Sequence, residues 1–164
     1  MRYLSGLLIL FCPLLSAQSL WLATEPETMR ANIVTSWSEC EPQRWCEDGV
    51  GYYQAHLYAE ATLTPERLAV TLFGEFTPHL LSQLQLNLRR DGFQLVNISI
   101  EQQEFDIKAA LQTMAANEVD KALVTFINQS PQSAERVLSW QASVGQAELH
   151  SDGELITVRF DYPQ

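Results

Sequence analysis

Polar and apolar residues alternate most regularly between Tyr53 and Phe76. Tyr53, Ala55, Leu57, Ala59, Ala61 and Leu63 interleave with Gln54, His56, Tyr58, Glu60 and Thr62. After Thr64-Pro65-Glu66-Arg67, the apolar positions Leu68, Val70, Leu72 and Phe76 resume the pattern. A period of two places successive side chains on opposite faces of a strand, and proline at the second turn position presets a type I turn. The segment therefore reads as an antiparallel hairpin with one buried face.

Thr77 to Gly92 carries two patterns at once. Leu80, Leu81, Leu84 and Leu88 fall on one helical stripe, with Thr77 as cap, Pro78 at the first helical position, Arg89 and Arg90 in the last turn and Gly92 as terminator. Yet Leu84, Leu86 and Leu88 also alternate with Gln83, Gln85 and Asn87, and Arg90-Asp91-Gly92 would then be a hairpin turn. The caps and the run of good helix formers favour helix.

Phe93 to Ile100 reads as a strand, with Val96, Ile98 and Ile100 on one side. Phe105 and Ile107 extend it, or a short helix covers Asp106 to Met114. Val119, Ala122, Leu123, Phe126 and Ile127 repeat at i, i+3, i+4, i+7 and i+8, which predicts a core-facing helix over Asn117–Gln129, capped by Asn117 and stopped at Ser130-Pro131. Val137 to Val144 and Ala147 to Tyr162 read as closing strands, with a tight turn at Ser151-Asp152-Gly153. Near the other end, Thr24-Glu25-Pro26-Glu27 reads as a helix start running to about Val34, followed by a loop to Gly49 and Gly51.

The expected class is α+β: a largely antiparallel sheet with about two helices on one face, in a ferredoxin-like layer arrangement. If Thr77–Gly92 were a strand pair, a β-sandwich with one added helix would result. Residues 1–19 form a leader, 20–52 an N-terminal stapled segment, and 53–164 the α+β domain, the last two making one globular unit.

The leader is a secretory signal pattern. Arg2 precedes the apolar run Tyr3–Leu15, and Ala17-Gln18-Ser19 offers small residues for cleavage after Ala17 or Ser19. The run is shorter than the roughly 20 residues a spanning helix needs. Phe11 before Cys12 argues against lipidation. The mature chain is expected to be exported, periplasmic or secreted, with no later membrane span. It holds nine bases against 20 acids, net −11 over 145 residues, which disfavours nucleic acid and anionic lipid as partners.

Cys40 and Cys46 remain after cleavage, and in an oxidising compartment a local pair implies a disulfide. Their spacing is not Cys-x-x-Cys, and His56, His79 and His150 supply no metal spacing. Trp37 and Trp45 lie beside Glu39, Glu41, Glu47 and Asp48, a candidate partner-binding patch of aromatics and carboxylates. The alternative is that both indoles cover the edge of the core while the acids face water.

No phosphate loop, nucleophile elbow or zinc-helix motif occurs. A triad from His150, Asp152 and a serine is a chance assembly, Glu101 and Glu104 are a pair that 20 acids make unremarkable, and Asn97-Ile98-Ser99 and Asn128-Gln129-Ser130 match the short N-glycosylation pattern. These readings make the protein a small exported, non-enzymatic accessory module, without cofactor or metal, that binds another envelope or secreted protein. The alternative is a small exported hydrolase, or an inhibitor of one, built on His56 or His150 with carboxylates.

Overall fold

The computed structural model describes residues 26–163. The leader, Cys12 and the Thr24 cap lie outside the described residues. In chain order the elements are α1 (Pro26–Ser36), β1 (Ser38–Glu41), β2 (Arg44–Tyr52), β3 (Ala55–Thr64), β4 (Arg67–Glu75), α2 (Pro78–Arg90) and β5 (Gln94–Ile100). They continue with β6 (Gln103–Asp106), α3 (Ile107–Ala110), α4 (Ala116–Ile127), β7 (Arg136–Ala142), β8 (Gly145–Ser151) and β9 (Leu155–Pro163).

The nine strands form one sheet in the order β1-β2-β3-β4-β9-β8-β7-β5-β6. Every pairing is antiparallel. The α+β class holds. The ferredoxin-like layout is not borne out: a split βαβ unit sets one strand between the two strands its helix connects, whereas β9, β8 and β7 all lie between β4 and β5, the strands joined by α2. The β-sandwich does not form either, since the strands make one sheet rather than two.

The hairpin read from the alternation is β3–β4. It closes on Pro65-Glu66 with Thr64 opposite Arg67. Ala55, Leu57, Ala59, Ala61 and Leu63 are buried, and His56, Tyr58 and Thr62 are exposed. The ambiguous segment is helix α2: Thr77 Oγ1 accepts from the Leu80 N–H at 3.0 Å, and Leu81, Leu84 and Leu88 are buried. Gly92 follows at φ +85°, a conformation that glycine adopts without a Cβ penalty.

Three expectations need correction. The stapled loop is a β-hairpin, β1–β2, whose strand character was hidden by irregularities between Glu39 and Glu41 and between Glu47 and Val50. A bulge shifts the period-two pattern by one and erases it. The helix over Asn117–Gln129 starts earlier, at Ala116. Ala115 is its N-cap, and the Ala115 main-chain N–H donates to the Glu118 carboxylate at 3.2 Å. Only Val119 of its stripe is fully buried; Leu123, Phe126 and Ile127 are half-buried against the core. The segment after Ile100 divides between both readings: Phe105 lies in β6, and Asp106 caps the single turn α3 by accepting from the Ala109 N–H at 2.8 Å.

One cluster holds the buried apolar side chains of α1, α2 and one face of the sheet. Met29 and Ile33 of α1 and Val50 and Tyr52 of β2 belong to it together with Leu72, Leu138, Val158 and Phe160. The N-terminal segment and the rest of the chain therefore share a core. Across the sheet, paired positions run Ala61, Val70, Phe160, Ala147, Trp140, so the small Ala147 separates the two large rings. Interdigitation of this kind fills a layer without voids.

Cys40 and Cys46 are disulfide-bonded across β1–β2. The closed loop is short, so replacing both by Ser is expected to lower the unfolding free energy by about 2 kcal/mol on the chain-entropy account. Urea denaturation of the double variant checks this. A loss well beyond that figure would mean that the bond holds more than its own hairpin.

Candidate functional site

The aromatic and acidic residues singled out from the sequence do gather, on and beside the β1–β2 hairpin at one end of the sheet. Trp37 follows α1, with its main-chain N–H donating to the Ile33 carbonyl at 2.9 Å. Trp45 sits opposite Glu39 on β1 and Ala61 on β3. Both indoles are half-buried and pack against the core. The acids divide: Glu39, Glu41 and Asp48 are exposed, and Glu47 is half-buried. Arg44 is the base among them, 3.3 Å from Glu41 and 3.9 Å from Glu60. β1 is exposed at all four residues.

The histidines do not converge. His56 is on β3 and His150 on β8, three strand spacings apart, or roughly 14 Å. His79 lies in the first turn of α2, and the imidazole of His150 stands 3.6 Å from Glu135. Among the described residues no group of three or more His, Cys, Asp or Glu could hold a metal ion. Asp152 is a turn residue: it accepts the Leu155 and Glu154 main-chain N–H groups at 2.8 Å each, and these bonds hold its carboxyl below the usual range. Glu104 accepts from the Asn97 amide at 2.6 Å and Glu101 from Ser130 at 3.4 Å, so each carboxylate has its own partner.

A second constellation was not anticipated. Asp91, the residue ending α2, accepts the Tyr52 hydroxyl on Oδ2 at 2.7 Å and the Tyr53 hydroxyl on Oδ1. Tyr52 is fully buried at the end of β2. Tyr53 opens the β2–β3 turn at φ +56°, a left-handed conformation that costs a bulky residue about 1–2 kcal/mol. The Arg90 guanidinium lies 5.7 Å from the Tyr53 ring centroid, within cation–π range. The buried Tyr162 hydroxyl has no hydrogen-bond partner among the described residues. Burial and the Asp91 carboxylate push the titration of Tyr52, Tyr53 and Tyr162 upward, that of Tyr53 to about 12.

Beside this cluster, the outer stripe of α2 and the β2–β3 turn enclose a cleft of about 260 Å³. A different cleft of about 340 Å³ lies against β5, β7, β8 and β9, where the irregularity at Val96 interrupts the β5–β7 ladder. It presents Ser139, Gln141, Gln146 and Glu148, and its Asp161 accepts from Arg67 at 2.8 Å and Arg159 at 3.0 Å. The residue signals for both clefts were visible in the chain, as Tyr52-Tyr53, Arg89-Arg90-Asp91 and the strand-face glutamines. Each already had a local role in a turn, a helix end or a strand.

The disulfide is compatible with an exported location, and no helix among the described residues is long and apolar enough to cross a membrane. Comparison with known proteins adds nothing to these geometric observations: no family model, no curated protein and no solved structure matches the chain.

Proposed function

We propose that this chain is an exported, non-enzymatic accessory module that docks onto another envelope or secreted protein through its β1–β2 hairpin. The observation that carries the reading is β1 itself. It is an edge strand, exposed along its length, held in place by the Cys40–Cys46 bond and backed by Trp37 and Trp45.

An edge strand offers main-chain donors and acceptors to a further strand, which gives affinity, while neighbouring side chains give selectivity. Glu39, Glu41, Glu47 and Asp48 outnumber Arg44 here. Two copies meeting edge to edge would oppose like charges, so the edge resists self-pairing and favours a basic extended segment. The disulfide keeps the hairpin ordered before contact, which lowers the entropic cost of docking.

The test is co-purification of the tagged, exported protein from its own envelope or culture fluid, followed by direct binding of the isolated partner. Glu39→Lys with Glu41→Lys changes two exposed side chains and leaves the core untouched. It is expected to weaken binding at least tenfold with an unchanged circular dichroism spectrum. Equal binding by this variant would refute the docking role. Trp37→Ala with Trp45→Ala separates the contribution of the indoles: lost binding with retained fold places them in the contact, and unfolding places them in the core.

A further inference from the structure

We propose that the cleft between α2 and the β2–β3 turn binds a small organic carboxylate, with Arg90 as its anchor. This site is independent of the docking edge. β2 runs from one to the other, and its nine residues place them about 25 Å apart.

The charge pattern is the first argument. The chain carries 20 acids and 10 bases, yet Arg90 and His79 line this cleft and no carboxylate does. In the cleft against β5, β7, β8 and β9 the lining base, Arg159, is already bonded to Asp161 and stands opposite Glu148. The acid nearest in sequence, Asp91, is occupied by the Tyr52 and Tyr53 hydroxyls.

The second argument is preorganisation. The bonds to Asp91 fix the Tyr53 ring, and the ring supports the Arg90 guanidinium. No acceptor or carboxylate among the described residues engages that guanidinium, so its N–H fork is available. A planar fork matches a carboxylate with two parallel hydrogen bonds. Asn87 is a polar side chain of the cleft and is only 1% exposed. Its amide reaches the Tyr52 carbonyl at 3.5 Å, the limit of hydrogen-bond distance. Gln54, Ser82 and Gln83 add polar groups at the rim.

The third argument sets the ligand class. Leu86 is 53% exposed on the same stripe of α2, beside the Tyr53 ring. A single fixed cation next to apolar surface suits a monoanion with a short apolar body, such as an aliphatic or aromatic carboxylic acid. It does not suit a multiply charged phosphate, which recruits several cations.

The test is titration of the isotope-labelled mature protein with butyrate and benzoate, followed by NMR and calorimetry. Inorganic phosphate and tetramethylammonium serve as controls. Saturable binding of a carboxylate is expected, with shifts confined to α2 and residues 52–54. Arg90→Gln should weaken it about tenfold or more, since a charged hydrogen-bonded contact is lost. Leu86→Glu, at an exposed position, should abolish it by placing an acid at the mouth. No saturable binding of either carboxylate, equal binding by Arg90→Gln, or phosphate binding as tightly as the carboxylates would each overturn the proposal. None of these outcomes depends on the β1 edge.

Discussion

Phe160→Ala is expected to lower the unfolding free energy by about 3–5 kcal/mol, the usual cost of truncating a fully buried phenylalanine. Phe160 is 0% exposed on β9. Val70 flanks it on β4 and Ala147 on β8, and its ring meets Tyr52 at 5.9 Å and Phe93 at 5.8 Å edge to face. Its neighbours come from four separate stretches of chain, so no single local movement fills the void. The flanking Ala147 is too small to spread into it. Phe160→Leu retains most of the volume and should cost about 1.5 kcal/mol or less. Urea midpoints at constant m-value measure both. A small loss for Phe160→Ala would mean that the β4–β9 seam packs loosely.

Asp91→Ala is expected to cost about 2 kcal/mol although the half-buried side chain ends a helix. A carboxylate at a helix C-terminus opposes the macrodipole, so its removal should help by a fraction of a kcal/mol. The hydroxyls reverse the sign. Without Asp91 the buried Tyr52 hydroxyl joins that of Tyr162 in lacking an acceptor, and each unpaired buried group costs about 1–3 kcal/mol. Asp91→Asn keeps one acceptor and should fall between the two.

The same contact predicts a pH dependence. Tyr52, Tyr53 and Tyr162 titrate above the ordinary value of 10.0 because burial and Asp91 oppose the tyrosinate. A folded value above the unfolded one contributes stability that is complete below the unfolded value and is lost as the pH rises through 10 toward 12. Tyrosinate absorbance with alkaline urea titrations should show late ionisation and falling stability together. In Asp91→Asn, Tyr53 should ionise earlier. Unchanged titration would show that Asp91 does not hold these hydroxyls.

The legible parts of the fold are those in which one local pattern dominates. Thirteen residues of α2 were readable because Thr77, Pro78 and Gly92 mark both ends, which outweighs the competing alternation at Leu84, Leu86 and Leu88. The β5–β6 hairpin was missed because Glu101 and Gln102 both take positive φ without a glycine or asparagine to signal it. β1 was missed because Ser38–Glu41 is short and exposed at every position, and an edge strand needs no apolar face. Of the candidate sites, the hairpin residues were readable as a set because they are close in sequence. The Asp91 cluster was not, since Asp91 lies 39 residues from Tyr52 and 71 from Tyr162.

The chain by itself determined the secretory pattern, the acidity, the cysteine pairing, the α2 caps and the β3–β4 hairpin. All of these are local, set by composition, by short loop closure or by side chains within a few residues. Tertiary structure alone decided the strand order. It brought β4 beside β9 and β5 beside β7, turned the stapled segment into two strands, joined Tyr52 and Tyr53 to Asp91, and set Tyr53 and Arg90 in the wall of one cleft. Those outcomes depend on which apolar faces bury one another most completely, and an alternation names a buried face without naming its partner.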